Sequence, residues 1–496
     1  MLFSSIEYLL FLPATFLLYW VSPKQIRWVV LLAASCFFYM FYNWKLIFIF
    51  LITIIVSYVG SYLIEKYSQK TKLKNTIFIV TLVLVIAPLI VCKYVPFFFD
   101  VYQSIANSFR DVKQHGILSI VVPIGISFYT FQTIAYVTDV YREVTPWEKH
   151  FGYYALFLLY FPQILQGPIE RANDLIPQLK ESETKSIKDI NFPEAFRIML
   201  IGFFKKIAIA DLFGIIVNKT FNDVSSANSL MVLASIFCFM IQLYGDFSGY
   251  SDIAIGSSEL FGIKIQDNFN LPYESKSIRE YWSRWHITLG TWFRDYVFSP
   301  LARLNVNPYL CVLIVFLISG IWHGAAYTFI IWGVLQGVGQ VIGMLTLKKR
   351  NKLWKKWGIN PKGKLVSSLR IVATFLMISF INIFFRANSV NDAFLLISKI
   401  FTNWDVAGGV FPATYEAFGL SVFAIIYGSI VIFTLKPIES LKKIGYPNQS
   451  ESKLNRFFSN SAVRYASYLV MIFCVVCAWV HLKSSNVESV FIYFQF

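Results

Sequence analysis

Charged residues are scarce in this chain of 496 residues: they make up 15% of it, against about 25% in an average soluble domain. Hydrophobic residues make up 56% and aromatic residues 18%. These shares exclude an ordinary cytosolic enzyme, a disordered chain and a fibrous protein. The sequence also lacks internal repeats, low-complexity stretches and any segment that reads as a soluble domain. A single large membrane-embedded bundle fits this composition.

Common catalytic and metal-binding motifs are missing as well. There is no Walker A loop, no GxSxG elbow and no HExxH helix. The six cysteines lie in apolar surroundings, and the one CxxC pair, Cys474 and Cys477, has no second pair to complete a zinc site. The sequence therefore predicts no disulfide framework, no metal site and no bound cofactor.

Positive charge dominates, with 44 basic against 28 acidic residues and a net charge of +16. The basic residues cluster in the gaps between apolar runs, which is typical of cytoplasmic loops that face anionic lipid. Membrane lipid, and not nucleic acid, is the partner that this pattern indicates. Three basic loops are predicted to be cytoplasmic: Glu65–Lys74, Lys348–Lys364 and Lys436–Arg464.

Long apolar runs predict the membrane helices, since about 20 apolar residues cross a bilayer core. We expect roughly 10 to 12 such helices. The runs free of charge are Leu46–Ile64, Asn75–Cys92, Ile117–Thr138, Ser229–Gly245, Pro308–Ala326, Tyr327–Leu347 and Ala417–Leu435. Shorter or weaker runs are Tyr8–Val21, Trp28–Asn43, Phe151–Gln166, Ala195–Val217, Ile371–Phe385 and Tyr465–Leu482. Ala195–Val217 contains four charged residues, so we expect it to be bent, interfacial or packed inside the bundle.

Three segments in the middle of the chain carry polar groups at or beside membrane depth. They are YGDFSGYSDIAIG (244–256), NFNLPYESKSIREYWSRWHITLGTWFRDY (268–296) and SGIWHGAAYTFIIWG (319–333). Buried ionisable groups of this kind face a cavity or pair with one another, and non-helical backbone is tolerated where it lines a cavity. The predicted fold is therefore all-α and polytopic, with re-entrant or interfacial helices around a central tunnel.

His323 is the strongest candidate for a catalytic residue because it lies between two apolar runs, and the next charged residue along the chain is Lys348. A neutral imidazole accepts a proton from a hydroxyl, and burial keeps it neutral, which suits a general base. The alternative is a core histidine bonded to a backbone carbonyl.

His286 is the second candidate, with Arg294 and Asp295 following it eight and nine residues later. It would bind or polarise a carbonyl or hydrogen-bond a thioester; the alternative is a loop histidine held by tryptophans. Asp246 either lines the tunnel or pairs with an arginine or lysine of the bundle, and the alternative for Asp295 is a pair with Arg294 or with a helix end. We expect Trp285 and Trp322 to wall a pocket.

The same segments resemble the membrane-bound O-acyltransferase (MBOAT) superfamily, in its bacterial alginate and peptidoglycan O-acetyltransferase branch. The motifs that carry the resemblance are GDFSGYSDIAIG, NFNLPYES, YWSRWHITLGTWFRDY and SGIWHGAAYTFIIWG, together with MLFSSIEYLLFLP at the start, QGPIERANDLIPQL (166–179) and FFRANS (384–389). The resemblance covers nearly the whole chain. One stretch, VFSPLARL (297–304), departs from the glycine-containing pattern common in the family.

The resemblance implies one integral-membrane domain over residues 1–496, with N-terminal helices (1–145), a core carrying the motifs (146–345) and C-terminal helices (346–496). It implies an acyltransferase of class EC 2.3.1.- in which His323 is the catalytic base and His286 a second catalytic residue. Trp285, Arg294, Asp295, Trp322 and Asp246 are then expected to line the tunnel.

The expected reaction passes acetyl from a cytoplasmic thioester, acetyl-CoA or an acyl carrier, to an extracytoplasmic polysaccharide. The expected partners are an SGNH-type acetyltransferase or a glycan synthase complex at the bacterial inner membrane. D-alanyl transfer to teichoic acid, and a polysaccharide transporter or scaffold without acyl transfer, remain alternatives.

Overall fold

The computed structural model of the protein describes residues 1–41, 43–109, 122–165, 167–360, 363–402, 404, 411–444 and 453–484. Parts of five predicted helices and loops lie outside these residues, namely position 42 of Trp28–Asn43, the start of Ile117–Thr138, the end of Phe151–Gln166, and portions of the loops Lys348–Lys364 and Lys436–Arg464. The described residues form helices and loops, and their β pairing is one isolated antiparallel bridge between Phe269 and Trp285. The prediction of an all-α polytopic fold is confirmed.

Two compact units make up the chain, residues 1–196 with 254–266 and residues 197–253 with 267–496. Helices α10 (Phe192–Phe203) and α12 (Ser229–Glu259) contribute residues to both units. The predicted three-part division of a single domain stays a prediction.

The first unit also contains nine helices among its described residues. They are α1 (Ile6–Val21), α2 (Arg27–Met40), α3 (Leu46–Lys66), α4 (Thr71–Leu89), α5 (Val95–Phe109), α6 (Ile126–Tyr141), α7 (Phe151–Leu159), α8 (Phe161–Ile164) and α9 (Ala172–Glu181). Short 3₁₀ turns at Lys24–Ile26 and Ile187–Asp189 and a π-helical turn at Ile90–Tyr94 join or extend them.

The second unit carries the remaining helices of the described residues. They are α11 (Leu212–Asn222), α13 (Ile278–Arg284), α14 (Ile287–Phe293), α15 (Ser299–Arg303), α16 (Pro308–His323), α17 (Tyr327–Lys356), α18 (Lys364–Arg386), α19 (Val390–Thr402), α20 (Phe411–Lys442), α21 (Lys453–Ser459) and α22 (Ser461–Ser484). Its irregular turns are π-helical at Phe204–Asp211 and Arg294–Phe298 and 3₁₀ at Pro272–Glu274.

Six helices of the described residues are long and apolar enough to cross a membrane. Their bounds are Leu46–Lys66, Thr71–Gln103, Ser229–Glu259, Tyr327–Lys356, Lys364–Arg386 and Ser461–Ser484. Shorter apolar helices are Ile6–Val21 and Pro308–His323. Each of these eight helices contains or overlaps a predicted span, so hydropathy located them correctly.

Three pairs of buried hydroxyl groups in the first unit hydrogen-bond to one another, which removes the cost of leaving those polar groups unsatisfied in an apolar core. Tyr8 donates to Ser257 Oγ at 2.7 Å, and Tyr154 donates to Ser57 Oγ at 2.6 Å. The hydroxyls of Tyr160 and Ser258 lie 2.9 Å apart. These bonds fix the contacts between helices that are distant in sequence.

The C-terminal half of α16 lies in close backbone contact with α17 in the second unit. A Cβ atom on Gly320 would lie 2.4 Å from the carbonyl oxygen of Phe329, and one on Gly333 would lie 2.4 Å from that of Phe316. Small residues allow this close approach of two membrane helices. The pair therefore holds the C-terminal end of α16, with His323, against α17.

Candidate active site

His323 is the last residue of α16 and lies in an aromatic enclosure. Its side chain is buried, and the centre of its ring lies 4.8 Å from that of Trp322, 5.0 Å from that of Trp332 and 5.1 Å from that of Phe385. Trp332 is itself held by a 2.8 Å hydrogen bond from its indole nitrogen to Asn382 Oδ1. Side chains from α17 and α18 thus fix the position of the imidazole.

A first cavity of about 610 Å³ is lined in part by the helix that ends at His323. The face of α16 that lines it carries Val312, Phe316 and Ser319. His323 follows Ser319 by four residues and so lies on the same helix face, one turn further along. The full lining is Arg279, Trp282, Ser283, His286, Ile287, Leu289, Gly290, Thr291, Phe293, Arg294, Phe298, Val312, Val315, Phe316, Ser319, Gln340 and Met344.

A second cavity of about 470 Å³ begins at the residue after His323. Its lining is Asn218, Asn222, Gly324, Ala325, Ala326, Thr328, Phe329, Arg386, Ala387 and Asn388. The helix face before His323 and the loop after it therefore line different cavities. His323 itself is part of the lining of neither cavity, but it lies in the chain between Ser319, which lines the first, and Gly324, which lines the second.

His286 lines the first cavity from an unusual backbone position. Its φ of 44° and ψ of 57° are left-handed, and it begins α14. The segment before it pairs with residues 268–270: Ile287 N donates to the carbonyl oxygen of Asn268 at 3.0 Å, next to the Phe269–Trp285 bridge. This pairing places the imidazole against the side chain of Asn268.

Asn268 determines which nitrogen of His286 carries the proton. Its Oδ1 accepts from the backbone N–H of Thr288 at 3.2 Å and lies 3.1 Å from His286 Nδ1. An atom that accepts from a backbone N–H is an oxygen, so Nδ1 of the neutral ring donates to it and Nε2 keeps the lone pair. Burial lowers the pKa of His286 from 6.5 to about 3, so the ring is neutral at physiological pH.

The other predicted tunnel residues are distributed more widely. Arg294 lines the first cavity and donates to Asp295 at 2.8 Å, in a pair that is largely exposed. Asp246 is buried and pairs with Lys206 at 2.7 Å. The alternatives in which Asp246 and Asp295 make ion pairs are thus confirmed.

The two tryptophans lie outside the lining of both cavities as the described residues define them. Trp285 stacks on Tyr281 with ring centres 5.6 Å apart and is buried, whereas Trp322 contacts the His323 ring. No cluster of three or more histidine, cysteine or acidic side chains in the described part of the chain has the geometry of a metal site.

Comparison with known proteins agrees with this geometry. Residues 148–390 match the membrane-bound O-acyltransferase family. The probable alginate O-acetylase AlgI of Azotobacter vinelandii is 30% identical over the full length of both chains. The chain belongs to the membrane-bound O-acyltransferase family.

Other relatives refine the placement within the family. The probable alginate O-acetylase AlgI of Pseudomonas aeruginosa is 34% identical over 81% of this chain and 75% of its own. The peptidoglycan O-acetyltransferase of Helicobacter pylori is 32% identical over 77% of this chain and 76% of its own. The teichoic acid D-alanyltransferase of Bacillus subtilis is less similar, at 28% over 63% of this chain and 78% of its own.

The family match and the site coincide in this O-acyltransferase. Every residue that lines the two cavities lies between positions 148 and 390, as do both histidines. The predicted membrane location and acyltransferase class are confirmed at this level.

Three residues that shape the acyltransferase site carried no prediction. Asn268 and Ser319 lie within the polar segments, and Arg386 lies within FFRANS, but none was assigned a role. A charged residue at the end of an apolar span was the available signal for Arg386. The partner of Asn268 depends on a chain reversal between residues 270 and 284, which local sequence does not reveal.

Proposed function

We propose that this acyltransferase moves an acetyl group from a thioester in the first cavity to a hydroxyl presented in the second cavity, with His323 as the general base. The observation that carries the proposal is that Ser319, one helix turn before His323, lines the first cavity, and that Gly324, the next residue, lines the second. The hydroxyl oxygen attacks the acyl carbon as the imidazole takes its proton. The tetrahedral intermediate then collapses, the carbon–sulfur bond breaks, and the imidazolium returns the proton to the leaving thiolate.

The two ends of α17 support a direction for the transfer. Gln340 and Met344, in the later half of this helix, line the first cavity, whereas Thr328 in its first turn lines the second. Thr328 and Gln340 are about 18 Å apart along the axis, at 1.5 Å a residue. Because α17 ends in the lysine-rich loop predicted to be cytoplasmic, the thioester enters from the cytoplasm and the acceptor from outside.

The lining of the first cavity suits an anionic thioester carrier. Arg279 and Arg294 are among its residues, and none of the described lining residues is acidic. Acetyl-CoA and an acyl carrier's phosphopantetheine both bear phosphate, which arginine binds well. The lone pair on Nε2 makes His286 a hydrogen-bond acceptor on that side, so we assign it to holding an N–H or O–H of the donor and not to polarising the carbonyl.

The final acceptor in this proposal is an extracytoplasmic polysaccharide, and the transfer takes place at the bacterial inner membrane. Alginate and peptidoglycan O-acetylating relatives align over more of this chain than the D-alanyltransferase does, which favours acetyl over D-alanyl. An SGNH-type acetyltransferase or a glycan synthase complex would complete the transfer to the glycan.

The test is acetyl transfer in proteoliposomes loaded with radiolabelled acetyl-CoA. We expect His323→Gln to lower transfer by a factor of about 10² to 10⁴, the usual contribution of a general base. His481→Gln, on the exposed side of α22, serves as the matched control and should transfer at the wild-type rate. Transfer by His323→Gln within threefold of wild type would refute the assignment of His323 as the general base. Incorporation of D-alanine in place of acetate would refute acetyl as the transferred group.

A further inference from the structure

The second unit contains an apolar groove of about 480 Å³ that shares no described lining residue with the two cavities of the proposed site. Helix α20 lines it with residues between 434 and 441, α22 lines it with residues between 463 and 471, and α21 contributes Phe457 and Phe458. None of its described lining residues is charged. Phe457 is 56% exposed and Val470 is 61% exposed, so the groove opens onto the surface of the protein.

The groove lies where α20 and α22 meet the basic loop Lys436–Arg464. Its residues on α20 belong to the last turns of that helix, which ends at Lys442, and its residues on α22 belong to the first turns of that helix, which begins at Ser461. From position 463 to position 471 the groove follows α22 for about 12 Å, at 1.5 Å a residue. Because the loop is predicted to be cytoplasmic, the groove runs from the cytoplasmic membrane surface towards the acyl chains.

Two arginines border the groove at this end. Arg456 immediately precedes the lining residue Phe457 on α21, and Arg464 immediately follows the lining residue Val463 on α22. Arg456 is exposed and Arg464 is half-buried. Long basic side chains at a membrane surface lie along apolar surface and extend their charged ends towards the headgroups. The groove therefore combines an apolar bed with a positively charged rim.

A third arginine adds to the positive charge beside α22. Arg197 donates a hydrogen bond to the side chain of Tyr468, and Arg464 interacts electrostatically with the same tyrosine. Tyr468 follows the lining residue Ser467 and packs against the apolar cluster that contains Met471 of the groove. The positive charge at the rim thus comes from more than one helix.

Charge complementarity determines which membrane component suits this groove. We propose that it binds one anionic phospholipid of the cytoplasmic leaflet, with an acyl chain along α22 and the headgroup phosphate held by Arg456 and Arg464. Basic pockets between membrane helices on the cytoplasmic side bind anionic headgroups, and a guanidinium binds phosphate through two parallel hydrogen bonds. A zwitterionic phospholipid fits the same apolar bed, but the arginines repel its ammonium group. This lipid site goes beyond the proposed function and does not depend on it.

The experiment counts the lipids bound to the full-length protein in detergent by native mass spectrometry. The probes are phosphatidylglycerol and phosphatidylcholine with the same acyl chains, added at equal concentrations. One basic residue beside an anionic headgroup raises the affinity about fivefold. With two arginines we expect the first phosphatidylglycerol to bind about 25-fold more tightly than the first phosphatidylcholine.

A double variant tests whether the arginines select the lipid. Arg456→Gln with Arg464→Gln should bind the two lipids equally. The matched control is Lys355→Gln with Lys356→Gln, which makes the same change in net charge at the exposed end of α17, away from the lining of the groove. This control should keep the preference for phosphatidylglycerol.

A second pair of variants tests the groove itself. Ala466→Phe places a ring in the groove from an exposed position of α22, so it should fold as wild type does and lose the bound lipid. Cys477→Phe, at an exposed position of α22 outside the described lining, should keep the lipid.

Equal binding of the two lipids by wild type would overturn the inference, as would a preference that survives in the double arginine variant or in Ala466→Phe. A dimer without lipid that Ala466→Phe dissociates would assign the groove to a second copy of this chain and overturn it as well. If the double arginine variant fails to fold, Ala466→Phe decides the question alone. Since acyl transfer is not measured, either result leaves the proposed function to its own test.

Discussion

The glycine contact between α16 and α17 predicts a loss of activity from a single methyl group. In Gly320→Ala the new Cβ would lie 2.4 Å from the carbonyl oxygen of Phe329 and 3.2 Å from Cα of Gly333. A carbon and a carbonyl oxygen approach to about 3.3 Å, so the helices must separate by about 1 Å. His323 is three residues further along α16 and moves with it.

Two effects of different size follow from this separation. Overpacking of a tight interface costs about 1–3 kcal/mol of stability. A displacement of 1 Å in a reacting group can lower a rate by about 10²-fold. We therefore expect Gly320→Ala to unfold at a lower temperature and to transfer acetyl about 10²-fold more slowly, as measured in detergent and in proteoliposomes.

Gly343→Ala on α17 is the matched control, because a Cβ at this position meets no atom within 4 Å. Alanine is a better helix former than glycine by about 1 kcal/mol, so this variant should be as stable as wild type or more so, and fully active. The reasoning would be refuted if Gly320→Ala matched Gly343→Ala in both measurements. A less stable but fully active Gly320→Ala would refute the coupling of the helix contact to His323.

Two further predictions concern buried charge. Lys206→Met removes the cation that pairs with both Asp211 and Asp246, each at 2.7 Å, and should destabilise the protein by about 3–5 kcal/mol. The control, Asp295→Asn, breaks an exposed ion pair and should cost at most about 1 kcal/mol. Equal thermal unfolding temperatures for the two variants would contradict the buried pairing of Lys206. Since the pKa of His286 falls from 6.5 to about 3 on folding, the unfolded state takes up the proton first and stability declines as pH falls below 6.5. Between pH 7 and pH 5 the free energy of unfolding of wild type should fall by about 2 kcal/mol more than that of His286→Gln. If the two proteins lost stability in parallel over this range, His286 would be protonated as readily in the folded protein as in the unfolded one.

Hydropathy predicted the membrane helices because the cost of exposing polar backbone to lipid is a local property of sequence. The charges in Ala195–Val217 left open whether it is bent, interfacial or packed inside the bundle, and the structure shows it packed inside: Lys205 and Lys206 are 1% and 2% exposed within the π-helical turn at Phe204–Asp211. The partners of these lysines were not predictable. Lys205 pairs with Asp252 and with Glu439, which is more than 200 residues away.

The candidate active site was predictable to about the same extent as the fold. The motifs identified both histidines, but the sequence left open whether Asp246 lines a tunnel or makes an ion pair. Only the packing of α12 against the π-helical turn decides this, by bringing Asp246 to Lys206. The left-handed backbone of His286 likewise depends on the pairing of residues 268–270 with 284–287 and not on any local signal.

The enclosure of His323 also bears on the size of the acyl group under the proposed mechanism. The acyl carbon must reach the imidazole from the first cavity by passing beyond Ser319, into a space bounded by Trp332 and Phe385. A Cβ on Gly324 would lie 2.1 Å from the Phe329 ring, so the exit to the second cavity is closely packed as well. A two-carbon acyl group needs little additional room here, whereas a long acyl chain would require these aromatic side chains to move apart. Close aromatic packing around the base therefore favours transfer of a small acyl group. The acetyl group named for the O-acetylating relatives is of this size.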